Sequence, residues 1–175
     1  MKDIKDYIRT IPDFPQKGIM FRDITTLIQN ADGLKLAVDS MCDAVSDLDY
    51  DVIAGAESRG FVFGAPMAYR EHKPFVLIRK KGKLPAKTYH CKYDLEYGSA
   101  EIEVHCADVQ EGQNILLVDD LVATGGTLKA AVNLVQQGKA NVTDVFGVVG
   151  LPFLKYEEKL GTEVKVTTLV NYDHE

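Results

Sequence analysis

Apolar positions along the chain repeat with two different periods, and the switches between them lay out an alternating architecture. Leu34, Ala37, Val38, Met41, Val45 and Leu48 share one face of a 3.6-residue turn, with capping side chains ahead of them at Asn30-Ala31-Asp32. Asp51 to Ala56 then reads as a short buried strand, and Phe61 to Glu71 as the helix behind it. Pro74 to Arg79 is a second apolar strand. Ile115 to Val118 is a third, followed by a helix from Thr127 to Gln137; Val145 to Val149 is a fourth and Val164 to Val170 a fifth. Fully apolar strands separated by amphipathic helices predict an α/β fold, a mostly parallel sheet with helices on both faces. Between Lys81 and Ala107 the rhythm breaks. Lysine-rich loop residues precede Glu101-Ile102-Glu103-Val104-His105, whose alternation suits a half-exposed antiparallel strand. With no repeat or linker in view, the expectation is one domain over residues 1–175, carrying a flexible flap and hairpin at 80–106.

Composition narrows the class without changing that picture. A chain of 175 residues that is 46% hydrophobic and 26% charged has enough apolar material for a sizeable core. Its net charge of −6 argues against general affinity for nucleic acid or an anionic membrane. No apolar run reaches the roughly 18–20 residues that cross a bilayer, and the first residues lack the apolar stretch of a signal peptide. Cys42, Cys91 and Cys106 are odd in number and widely spaced, as in a reduced, cytoplasmic protein. In that setting the Asn141-Val142-Thr143 match is not a glycosylation site. His72, His90, His105 and His174 are scattered and do not make a zinc site.

The chemistry concentrates at Asn114 to Thr127. An apolar strand runs directly into Asp119 and Asp120, and Thr124-Gly125-Gly126-Thr127 opens the next helix. Both glycines permit positive φ, so successive N–H groups can converge on a phosphate. Thr124 and Thr127 add hydroxyls, and the helix adds its positive end. The two carboxylates repel that same phosphate and suit neutral hydroxyls or an intervening cation. One ligand with two chemically different ends satisfies both. The plain alternative, a helix cap after a glycine turn, accounts for a lone Gly-Gly but not for the whole string. The loop is neither a Walker A sequence nor a GxGxxG fingerprint. Ligands of open α/β sheets bind outside the carboxyl ends of strands, and a second loop, Glu57-Ser58-Arg59-Gly60, occupies such an end after Ala56.

The string VDDLVATGGT resembles the phosphoribosyl pyrophosphate (PRPP) motif of type I phosphoribosyltransferases. Four further blocks occur in the order of one branch of that family: Phe21-Arg22-Asp23-Ile24, Glu57 to Phe61, Ile78 to Pro85, and Leu95-Glu96-Tyr97-Gly98. Together they cover nearly the whole chain and are similar to the adenine phosphoribosyltransferases. The diphosphate motif alone carries only the superfamily.

The resemblance implies transfer of phosphoribose from PRPP to adenine, with AMP and pyrophosphate as products and Mg²⁺ held mainly by substrate oxygens and water rather than by a protein cage. Asp119 and Asp120 are then expected to face the ribose hydroxyls, and Ala123, Thr124, Gly125, Gly126 and Thr127 to hold the 5-phosphate. Ser58, Arg59 and Gly60 form the pyrophosphate loop, with Arg59 as its fixed cation; a surface salt bridge is the simpler reading of that arginine. Relatives often carry Asp where Glu57 stands, which puts a direct side-chain role for Glu57 in doubt. Lys80, Lys81, Lys83 and Lys87 make a basic run in an acidic chain, either a solvated face or a guide for an anionic substrate. Within it the family pattern assigns Arg79 and Lys83 to the pyrophosphate, supplied across a homodimer.

Residues 1–30 are expected to form a base-binding segment. There Phe21 stacks on adenine, Met20 and Arg22 flank it with main-chain contacts, and Leu121 packs on the other face. Glu96 is the acid–base candidate in the flap, where Tyr97 positions the closed form; two polar residues on an exposed hairpin is the simpler reading. Other functions share part of this evidence. A phosphoribosyltransferase for a 6-oxopurine or pyrimidine would keep Asp119 to Thr127 but lack the FRDI and LEYG blocks. A regulator that binds PRPP without turnover would need an added nucleic-acid-binding region, for which the acidic chain offers no evident room.

Overall fold

The structure, a computed structural model, describes residues 3–94 and 98–174. Among these residues a 3-10 turn (Ile4–Tyr7) comes first, then a short hairpin of β1 (Arg9–Ile11) and β2 (Phe21–Asp23), the one-turn helix α1 (Thr25–Ile28) and the long helix α2 (Ala31–Val45). β3 (Val52–Ala56), α3 (Gly60–Glu71) and β4 (Phe75–Lys80) form a crossover unit. An antiparallel hairpin of β5 (Thr88–Asp94) and β6 (Ser99–His105) follows. β7 (Asn114–Val122), α4 (Gly126–Gln136) and β8 (Asn141–Gly150) form the second crossover, and α5 (Tyr156–Leu160) leads into β9 (Lys165–Asn171).

Seven strands make the central sheet in the order β5-β6-β4-β3-β7-β8-β9. From β4 to β9 every pairing is parallel; β6 joins β4 antiparallel, so the hairpin forms one edge. The expected mostly parallel sheet with helices on both faces is what forms. Alternation along the buried strands explains their unbroken apolar runs. Val52, Ala54, Ile115 and Leu117 pack in the core under α4, while Ile53, Leu116 and Val118 pack in the core under α2 and α3. Asn30 caps α2 by accepting the Gly33 N–H at 3.0 Å. Ala37, Val38, Met41 and Val45 are buried as their spacing predicts. Leu48 is only half-buried because the helix ends at Val45.

Three features depart from the sequence reading. β7 does not stop at Val118: it continues through both aspartates to Val122, with Asp119 in register with Gly147 and Leu121 with Val149. Backbone pairing with β8 carries the strand on past the charges. β5 replaces the expected lysine-rich loop, since Tyr89, Cys91 and Tyr93 alternate inward onto the α4 core. β6 is not half-exposed. Ile102, Glu103 and Val104 are all buried, the charged one included.

Candidate active site

The sheet order reverses between β3 and β7: the chain passes from β3 to β4 on one side and from β7 to β8 on the other. A crevice opens beyond the carboxyl ends of strands at such a switch point. Both loops singled out in the sequence meet there. They line a cleft of about 530 Å³ whose walls include Ser58, Arg59, Asp119, Asp120, Leu121, Ala123 and Thr127. A smaller cavity of about 80 Å³ shares Asp119 and Leu121 with it and is wrapped by the loop from Ala123 to Leu128.

That loop is shaped by one glycine rather than two. Gly125 takes φ +77°, the left-handed region, as the residue that caps α4. A Cβ there would fall 3.2 Å from Cβ and the carbonyl oxygen of Tyr156. Gly126 is already the first residue of the helix and does not use positive φ. Thr127 Oγ1 donates to the Tyr93 hydroxyl at 3.4 Å. The amides of the first helical turn thus open toward the small cavity, an arrangement suited to an anion.

Asp120 is 4% exposed, and Arg59 Nε lies 2.8 Å from its Oδ2. The contact is one of charge: Oδ2 is buried and has no hydrogen-bond partner among the described residues. Asp119 Oδ1 accepts the Asp120 N–H at 2.9 Å. Burial, reinforced by the neighbouring Asp120 charge, pushes the Asp119 carboxyl well above the usual carboxylate range. The pair leaves one unsatisfied acceptor, Asp120 Oδ2, at the cleft.

Of the pyrophosphate-loop candidates Ser58 and Arg59 line the same cleft and Gly60 does not; a cis peptide joins Glu57 and Ser58. Gly60 allows the start of α3 to approach β7, because a Cβ would stand 2.7 Å from the Val118 carbonyl oxygen. Glu57 has a side-chain role after all: its Oε2 accepts the Lys80 N–H at 2.8 Å and Arg79 Nε at 3.2 Å. Burial opposes its charge, but those donors outweigh it and hold the carboxyl below its usual value.

Other sequence candidates are placed differently. Arg79 is turned to Glu57 and the Lys83 carbonyl, and neither Arg79 nor Lys83 lines the cleft; Lys80 does. In the base-binding segment Leu121 is at the cleft, whereas Met20, Phe21 and Arg22 are not among its lining residues. Alternation in β2 separates Phe21 from Arg22. Phe21 meets Phe14 edge-on at 5.0 Å. The Arg22 guanidinium lies 4.0 Å above the Tyr172 ring and donates to Thr10 Oγ1 at 2.7 Å. Glu96 and Tyr97 fall outside the described residues. Tyr93 and Ala100 line the cleft without having been singled out. The alternation of Tyr89, Cys91 and Tyr93 was the signal available for the first of them.

Comparison with known proteins agrees with this geometry. Residues 32–150 match the phosphoribosyl transferase domain family. The chain is 57% identical over 173 residues to the adenine phosphoribosyltransferase of Agathobacter rectalis, covering 99% of each protein. Its fold is similar to the crystal structure of adenine phosphoribosyltransferase from Thermoanaerobacter pseudethanolicus, with a TM-score of 0.92 and 43% identity over 97% of this chain and 98% of that one. It is also similar to the Saccharomyces cerevisiae enzyme crystallised with adenine and D-2,5-dideoxy-2,5-imino-altritol 1,6-bisphosphate, with a TM-score of 0.88 and 36% identity over 95% of this chain and 96% of that one. An acid pair beside an amide-lined loop, set at the switch point of a sheet this similar along its whole length, belongs to one lineage: the chain is a member of the adenine phosphoribosyltransferase family.

Proposed function

We propose that this chain transfers the phosphoribosyl group of PRPP to adenine, giving AMP and pyrophosphate in purine salvage. The observation that carries the residue assignment is the unsatisfied, buried Asp120 Oδ2 beside Asp119, next to the Gly125 loop. A ribose carries two neighbouring hydroxyls, each able to donate and accept, and a phosphate on C5. In this reading Asp119 and Asp120 meet the two hydroxyls, Asp120 Oδ2 accepting from one of them, and the Ala123–Thr127 backbone takes the phosphate.

The reaction forms a bond from an adenine ring nitrogen to the anomeric carbon while the bond from that carbon to pyrophosphate breaks. Positive charge develops on the ribose as in other glycosyl transfers. In this reading the Asp120 carboxylate stands beside the ribose and stabilises that charge. Ser58, Arg59 and Gly60 receive the departing pyrophosphate, with Arg59 shared between it and Asp120. Phe21 and Leu121 would bracket adenine, with Met20 and Arg22 contributing main chain. Glu96 accepts the proton that adenine loses, and Tyr97 helps position it. Lys83 and Arg79 enter as contacts supplied across a homodimer, consistent with their place outside the lining of this subunit's cleft.

Mg²⁺ fits the donor set. Among the described residues no group of three or more His, Cys, Asp and Glu could enclose a metal ion, while Asp120 retains an acceptor able to meet a coordinated water. When bound on the substrate oxygens, the ion would neutralise charge on the leaving pyrophosphate. Free Cys42, Cys91 and Cys106 accord with a cytoplasmic setting.

The test is pyrophosphate release with Mg²⁺ and PRPP, using adenine, hypoxanthine, guanine, xanthine and orotate in parallel. Turnover with adenine alone is expected. Turnover with another base would overturn the adenine assignment, and tight PRPP binding without turnover would make the chain a regulator.

A further inference from the structure

Glu103 carries a charge in the interior of a strand. It lies in β6, opposite Arg79 of β4 and His90 of β5, between buried Ile102 and Val104, and is itself 2% exposed. A carboxylate so placed is costly unless its oxygens are met by donors. Here they are. Oε1 accepts the N–H groups of Lys83 and Leu84, each at 2.8 Å, and His90 Nδ1 stands 3.7 Å from Oε2. Burial alone would raise its pKa, but the backbone donors of Leu84, Lys83 and Gly82 outweigh it and keep the carboxyl below its usual range.

The two amides belong to the turn beyond β4, where the chain leaves the sheet. Lys81 still donates its N–H to the Glu101 carbonyl at 3.0 Å; past that point Glu103 is what holds Lys83 and Leu84. Before the turn, Glu57 of the cleft loop holds the Lys80 N–H. The basic segment is therefore suspended between two carboxylates, one from the cleft and one from the hairpin. Lys80, Lys81 and Lys83 repel one another, and among the described residues Lys81 alone is matched at the surface, by Glu101 at 2.8 Å. A buried negative charge under the turn offsets that repulsion and holds its backbone.

We propose that Glu103 is a positioning residue for PRPP: by anchoring the Lys83 and Leu84 amides it holds the Lys80–Leu84 segment so that its lysines meet the pyrophosphate end of the substrate. The inference rests on the proposed function, since it takes PRPP as the ligand. Glu103 does not touch substrate in this role.

Glu103→Leu keeps the bulk and removes both acceptors, while Glu103→Gln keeps Oε1 as an acceptor. The leucine variant is expected to raise the KM for PRPP about 10-fold or more while the KM for adenine stays within about 2-fold; the glutamine variant should return the former to within about 3-fold of wild type. Hydrogen exchange should show the Lys83 and Leu84 amides losing protection in Glu103→Leu while amides of β3 and β7 keep theirs. A merely structural role would reduce the active fraction, and so kcat, without this KM split. Released amides with an unchanged KM for PRPP would overturn the proposal, as would amides that stay protected. Should Glu103→Leu fail to fold, Glu103→Asp, whose shorter arm cannot reach both amides, is read in its place. Lys80→Ala and Lys83→Ala are measured alongside. If neither raises the KM for PRPP in an enzyme that turns over adenine, the segment does not meet the pyrophosphate and the proposal falls while the proposed function stands. If wild type does not turn over PRPP with adenine, it is the proposed function that fails.

Discussion

Gly125→Ala separates what the Ala123–Thr127 loop needs from what a glycine pair merely permits. Gly125 sits at φ +77°, where an L side chain costs roughly 1–2 kcal/mol. The added methyl would also stand 3.2 Å from Cβ and the carbonyl oxygen of Tyr156, a contact that must open by a few tenths of an ångström. Tyr156 is 4% exposed and packed in the core under α4, so it has little room to retreat. Adding about 1 kcal/mol for that crowding gives a loss of about 2–3 kcal/mol. For a chain of this size that corresponds to a melting temperature lower by about 4–12 °C. Gly126→Ala is the matched control. Gly126 is helical, and its Cβ would stand in ordinary contact, 3.4 Å from Lys159 Nζ, 3.7 Å from Thr124 Oγ1 and 3.8 Å from Lys159 Cε. Its stability should stay within about 0.5 kcal/mol of wild type, or rise slightly, because alanine narrows the unfolded ensemble. Urea unfolding without substrate, at one protein concentration, reads both. Equal losses in the two variants, or a loss below about 0.5 kcal/mol for Gly125→Ala, would refute the claim that backbone conformation at Gly125 holds this loop.

Asp120→Asn should lower kcat/KM for PRPP by about 100-fold, the scale of one lost preorganised electrostatic contact, with unchanged steady-state kinetics at limiting PRPP counting against it. The same substitution removes the like charge that raises Asp119. In wild type, a folded-state pKa above the ordinary 3.8 makes stability fall as pH rises through and beyond that value until Asp119 ionises. Urea midpoints measured from pH 4 upward should show a shallower fall in the variant, and identical slopes would refute the coupling. Asp23 behaves with the opposite sign. Hydrogen bonds from the Thr25 hydroxyl and from Arg9 hold it at about 2, so its contribution is present above 3.8 and lost as pH falls through about 2. After discounting for solvent screening at the exposed Arg9, Asp23→Asn should cost about 1–2 kcal/mol at neutral pH, with the gap narrowing as pH drops from 4 toward 2; a pH-independent gap would sink the assignment. Tyr93→Phe removes only a 3.4 Å hydrogen bond to Thr127, so the KM for PRPP should change by less than about 3-fold, and a larger rise would assign the hydroxyl to substrate.

Most of the sheet was legible because strands buried on both faces must be apolar at every position, as Val52 to Ala56 and Ile115 to Val118 are. The turn into α4 was legible for the same local reason: glycine at a helix start leaves a mark in the string itself. The β1–β2 hairpin was not, since strands of three residues are too short to show a period. The partners of the charged groups could not be read either. Glu57 finds the Lys80 amide 23 residues away, Glu103 finds Lys83 at a separation of 20, and Arg59 finds Asp120 from the far side of the switch point. Nothing in a local window encodes such contacts; they exist only once β3, β4, β6 and β7 stand side by side.

The two places where the polar pattern misled, Asp119-Asp120 inside β7 and Glu103 inside β6, have a common physical origin. Strand pairing is set by the backbone, so a charged side chain does not end a strand whose neighbours continue. It is simply carried inward, at a cost. At Glu103 that cost is met within the chain by two amides, and the return is a fixed basic turn. At Asp120 it is not: Oδ2 has a cation nearby but no hydrogen bond among the described residues, a deficit of about 1–3 kcal/mol for a buried acceptor. A residue that only stabilised the fold would not be kept in that condition. The free energy left unrecovered at Asp120 becomes available when a donor from outside the chain arrives, so the least satisfied atom of the sheet is also the one best prepared to bind.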